Sequence, residues 1–116
     1  SAASDVYKRQ QKELKELCDR AEANNPIYVT FSWFAIEIIV SSVDTKRSGA
    51  REIKSFILRN VATKLSKSIS EFKSTSFKKD GKDLFSLDIR ADIKTDSIKI
   101  VPMYRSEEDS DGSKES

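Results

Sequence analysis

Gly49-Ala50-Arg51 is the one short motif in this chain whose residue types suit a phosphate. A helix N-terminus presents unpaired amides and a partial positive charge, and glycine lets a ligand or another backbone come close. An arginine in the first turn adds a planar, permanently charged fork for phosphate oxygens. The plainer reading of three such residues is a helix start with a solvated arginine. Other chemistry is scarce. With no histidine and a single cysteine, the usual zinc sites and every Ser-His or Cys-His arrangement are excluded. Cys18 falls in an apolar helical stripe and reads as an inert core thiol. Asp88 and Asp92 share the polar phase of an alternating segment, with nothing to bury either carboxylate, so acid–base catalysis there carries little weight.

Trp33 and Phe34 open a strongly apolar segment and read as core rather than as a ligand platform. Between Lys46 and Lys82 there are 11 basic and 3 acidic residues, which could make a nucleic-acid surface. A solvated face balanced by an acidic tail is the preferred reading, because no interleaved exposed aromatics accompany the charge. The whole chain has 116 residues, 34% charged and 37% hydrophobic, with a net charge of +2. That composition suits one small domain. The longest apolar run, around Trp33 to Val40, contains Glu37 and falls short of the roughly 18–20 residues a membrane span needs. No apolar signal core begins the chain, and one unpaired cysteine suits a reducing, cytoplasmic setting.

The elements that must position the motif can be read from periodicity. Leu14, Leu17, Cys18 and Ala21 keep helical spacing from Gln11 to Ala23, and Asn24-Asn25-Pro26 ends that helix. Ile27 to Phe31 reads as a short strand, and Ser32 stands where an N-cap belongs for a buried helix from Trp33 to Val43. After the loop Asp44 to Gly49, the residues Ile53, Phe56, Ile57, Val61, Leu65 and Ile69 predict a long helix from Ala50 to about Ser70. Glu71 to Asp83 is polar, with turn chemistry at Lys79-Asp80-Gly81-Lys82. Phe85, Leu87, Ile89, Ala91 and Ile93 alternate with polar residues and predict a strand; Ile98 to Tyr104 returns as a second.

Both ends stand apart. Asp5-Val6-Tyr7-Lys8-Arg9-Gln10 is what the codons gat-gtg-tat-aag-aga-cag of a transposase-type sequencing adaptor spell in frame. Residues 1–10 are therefore read as a non-native artefact expected to pack little, on a fragment from an assembled metagenomic contig. Residues 105–116 are acidic and serine-rich with no apolar side chain, and are expected to be a disordered tail.

The run Val29-Thr30-Phe31-Ser32, Ala35-Ile36-Glu37-Ile38-Ile39-Val40, Asp44 and Gly49-Ala50-Arg51-Glu52-Ile53-Lys54-Ser55-Phe56-Ile57 resembles the C-terminal small domain of Clp-type AAA+ unfoldases. The resemblance covers about residues 11–104. It departs from the family where Gly-Tyr-Asp-Pro reads Ser42-Val43-Asp44-Thr45, and where Glu52 replaces a proline. It implies an α+β fold of the AAA+ lid type: helix, short strand, two helices, then a β-hairpin completing a small three-stranded sheet. Arg51 would be the sensor-two arginine, reaching the γ-phosphate of ATP held by an absent large domain. Gly49 and Ala50 would bring the helix start against the nucleotide, and Ile39 would help wall the base. The partners implied are that large domain, with its Mg2+, the neighbouring subunits of a hexameric ring, and protein substrates. No phosphate loop occurs, so the chain alone would not hydrolyse ATP. The alternative is a free-standing basic nucleic-acid-binding module using the Lys46–Lys82 face.

Overall fold

Ten apolar side chains spread over five segments set the architecture: Leu14 and Cys18 on the first helix, Ile36 and Ile39 on the second, Val61, Leu65 and Ile69 on the third, and Leu87, Ile89 and Ile98 on two strands, all buried. In the computed structural model, which describes residues 2–41, 55 and 57–105, the order is α1 (Ala2–Asn24), β1 (Tyr28–Phe31), α2 (Trp33–Ser41) and a π-helical turn (Ile57–Ala62). The turn runs straight into α3 (Thr63–Lys73), after which come β2 (Lys78–Lys79), β3 (Lys82–Asp92) and β4 (Ser97–Arg105). This is the expected α+β layout. No helix among the described residues is long and apolar enough to cross a membrane.

β3 is the central strand. β4 runs antiparallel along one edge of it from Asp83 to Asp92, and β1 runs parallel along the other, from Tyr28 opposite Ser86 to Phe31 opposite Ile89. A parallel pair needs a long crossover. Here α2, α3 and everything between them supply it. Among the described residues the helices pack on one sheet face, α1 on β1, α2 on β3 and β4, and α3 on β4.

The sheet has four strands rather than the expected three. Lys78 and Lys79 pair with Asp83 and Lys82 across Asp80-Gly81, both in the left-handed region at φ 52° and 78°. That is the tight turn its Asp-Gly chemistry favours, because its twist matches the flanking strands. A bulge between Leu84 and Ser86 also shifts the phase of β3: Leu84 takes the core position expected of Phe85. Ile93, read as the last inward residue of that strand, is 84% exposed because β3 ends at Asp92 and the chain turns there.

Helix α1 starts well before Gln11. Val6 and Tyr7 pack against the core and Gln10 is fully buried, so the expectation that residues 1–10 pack little is not met. The heptad-like spacing simply continues backwards: Gln10 lies one turn before Leu14, and Tyr7 one turn before that. Of residues 105–116, expected to be a disordered tail, Arg105 is instead the last residue of β4, and residues 106–116 lie outside the described residues.

Candidate functional site

Elements β1, α2 and α3 flank the phosphate-type motif along the chain. The Ser32 N–H donates to the Ile89 carbonyl at 2.9 Å, which ties the start of α2 to the central strand. The Ser32 carbonyl and Oγ both accept from the Ala35 N–H, at 3.1 and 3.4 Å, so Ser32 is the N-cap its position suggested. From there α2 buries Ala35, Ile36, Ile38 and Ile39 in barely two turns. Ile39 is fully buried in the core.

Gly49, Ala50 and Arg51 lie outside the described residues, as do Ile53 and Phe56 of the expected apolar stripe. From Ile57 onward the stripe is present. The π-helical turn buries Ile57 and Val61, and α3 continues the row with Leu65 and Ile69. Ala62, at the junction, has helical angles (φ −61°, ψ −41°) and no side-chain cap, so the two pieces form one continuous helix. The Lys64 ammonium donates to the Ile98 carbonyl of β4 and pins α3 to the sheet.

Trp33 and Phe34 are not core residues: they are 49% and 63% exposed. The four buried positions of α2 take up its inward side, and the first turn is left facing outward. Trp33 is held by stacking on Tyr7, with centroids 5.4 Å apart, and by donating its indole N–H to Glu37 at 3.1 Å. Phe34 and Ile93 flank a shallow groove of about 360 Å³ over Ile38 and Ala91.

The titratable groups serve packing. Burial, and then the nearby Glu22 and Asp19 carboxylates, push the Cys18 thiol up to about 12, which makes it an inert thiol as expected. Asp88 accepts from the Thr30 hydroxyl at 2.8 Å and from Arg90 Nε at 2.6 Å; Asp92 accepts from the Lys94 N–H at 3.1 Å. Both carboxylates hold the sheet and its turn together, in keeping with the low weight given to acid–base work. Of the basic residues between Lys46 and Lys82, Lys64 is spent on the sheet and Lys78 pairs with Asp83 at 3.7 Å. Phe72 and Phe77 are half-buried against the core rather than presented for stacking. Among the described residues, no group of three or more His, Cys, Asp or Glu could hold a metal.

Sequence reading missed two surfaces. On the sheet face opposite the helices, the bulge puts Phe85 5.2 Å from Tyr28, with the Arg105 guanidinium 4.5 Å over its ring. Beside it, Arg90 reaches the Met103 sulfur at 3.7 Å. A bulge has no local sequence signature, so nothing marked these residues as one cluster. Between α1 and α3 runs a groove of about 450 Å³, lined by Leu17, Leu65 and Ile69 and edged by Arg20 and Lys73. The described residues thus offer packing surfaces and no assembled nucleophile, acid and base.

Two comparisons with known proteins are negative and one is positive. No curated protein and no solved structure matches the chain. The family model of the C-terminal, D2-small domain, of ClpB protein matches residues 5–80. The matched stretch holds α1, β1, α2, the Gly49-Ala50-Arg51 motif, α3 and β2.

Proposed function

The chain belongs to the family of the C-terminal D2-small domain of ClpB, a Clp-type AAA+ domain, and from this premise we propose that it is a nucleotide-sensing lid. The parent would be an ATP-dependent protein unfoldase, of which this chain is a piece without the ATPase core. The observation that carries the reading is the family match, which spans Gly49-Ala50-Arg51 in its expected sequence position between α2 and the core helix.

Arg51 is the proposed sensor, its guanidinium forking the terminal phosphate of ATP, with Gly49 and Ala50 giving the backbone close approach. Ile39, buried in the core, would act on the base only through the wall it supports. Mg2+ and the phosphate loop would belong to the parent's large domain; the chain contains no Gly-x-x-x-x-Gly-Lys-Ser/Thr. The lid proper, expected over residues 11–104, is proposed to begin at residue 5, where the family match starts and ahead of Val6, Tyr7 and Gln10 of the core. It would pack on the large domain of a neighbouring subunit in a cytoplasmic ring, and turn hydrolysis into the rigid-body motion that pulls a protein substrate. Nucleic acid is not a proposed partner.

A chimera tests this. Residues 5–104, which keep Val6, Tyr7 and Gln10 of the core, replace the corresponding small domain of a ClpB-type disaggregase, and ATP turnover is measured with Arg51 and with Arg51→Ala. Turnover should survive the graft and fall about tenfold or more in the variant, since a charge-assisted bond contributes roughly 1.5–3 kcal/mol. Thermal stability should move by less than about 0.5 kcal/mol, as for a surface change. If Arg51→Ala melts the graft and spares turnover, Arg51 is structural and the sensor assignment fails.

A further inference from the structure

We propose that the helical segment Ile57–Ala62 is a two-register element, in which a π-helical register buries Ile57 and an α-helical register buries Leu58 in the same seat. The observed register is the first: Ile57 is 4% exposed and Leu58 is 52% exposed. The buried row runs Ile57, Val61, Leu65, Ile69, a spacing of four throughout. A spacing of four drifts around an α-helix by about 40° per step, and a wide turn removes that drift at its start.

In an unbroken α-helix built back from Leu65, at about 100° per residue, Leu58 lies roughly 20° from the Leu65 direction and Ile57 about 80° away. Leu58, Val61 and Leu65 then form the i, i+3, i+7 stripe of an ordinary amphipathic helix. The chain therefore carries two large aliphatic side chains, side by side, for one core position. Exchanging one for the other swaps burials of similar size, which is the condition for two registers close in free energy.

α3 is held by Lys64 on the Ile98 carbonyl and by Leu65 and Ile69 in the core. The wide turn packs on α1 and α3, with the Thr63 hydroxyl 3.5 Å from the Leu58 carbonyl five residues back.

The test is a double-mutant cycle on the 116-residue chain, read by denaturant unfolding. Leu58→Ala should change the unfolding constant less than about threefold, as at an exposed position. Ile57→Ala should cost less than about tenfold, because Leu58 takes the vacant seat. An isoleucine with no substitute would cost about thirtyfold or more, and the double variant should show that full loss. The milder Ile57→Val variant supplies a second reading by methyl NMR: Leu58 methyl signals should move toward core shifts. An additive cycle, or Leu58 methyls unmoved in Ile57→Val, overturns the proposal. Neither measurement involves nucleotide, so failure of the lid reading in the chimera and failure of the register switch are told apart.

Discussion

Gln10→Met should stabilise this domain. Gln10 is fully buried, and both its Oε1 and Nε2 are without a hydrogen-bond partner. A buried polar group left unpaired costs about 1–3 kcal/mol, and an amide buries a donor and an acceptor together. Methionine has nearly the same shape and comparable rotamer entropy, so packing and ordering terms largely cancel. The net gain expected is therefore about 1–3 kcal/mol, or roughly 5- to 150-fold in the folding equilibrium. At about 2.1 cal/mol/K per residue, a chain of this length gains roughly 4 °C in Tm per kcal/mol, so thermal unfolding followed by circular dichroism should rise by about 4–12 °C. Leu14→Ala, one turn along and fully buried, is the control and should lose about 2–5 kcal/mol. A Gln10→Met shift under about 0.5 kcal/mol, with the Leu14→Ala loss intact, would refute the reasoning. It would mean that the first turns of α1 do not pack on the core, as expected for a foreign N-terminus.

Cys18, whose thiol is raised from near 9 to about 12, keeps its proton in the folded state while an unfolded chain loses it. Its contribution is thus fully present below about pH 9 and is lost as pH rises toward 12; Cys18→Ala should flatten that alkaline loss in denaturant titrations. At about pH 8, a thiol reagent should label Cys18 only as fast as the domain opens. Gly81→Ala should cost about 1–2 kcal/mol, measured by thermal unfolding, from its left-handed backbone alone, since no atom lies within 4 Å of the added methyl.

Much of the fold was legible because it rests on local signals. Pro26 after two asparagines stops α1, Ser32 caps α2, and Asp80-Gly81 makes a tight hairpin turn; each acts through its own backbone preferences within its immediate stretch of chain. Helical and twofold spacing then located Leu14, Cys18, Val61, Leu65, Leu87 and Ile89 in the core. The motif Gly49-Ala50-Arg51 was legible in the same way, as residue types whose chemistry does not wait on folding.

What periodicity could not see was every feature decided by competition for a shared core. The bulge at Phe85 exists because β3 must satisfy β4 along one edge and β1 on the other, and it moves an aromatic ring to the opposite face. Trp33 and Phe34 are as apolar as any core residue, yet α2 has one inward side and Ala35, Ile36, Ile38 and Ile39 fill it. The wide turn at Ile57 arises where a helix fixed by Lys64, Leu65 and Ile69 at one end must also fit α1 at the other. The sequence alone located most of the helices and strands and the chemistry Arg51 could do, because both depend on neighbours along the chain. Tertiary structure decided which side chains share a face, because that depends on neighbours in space.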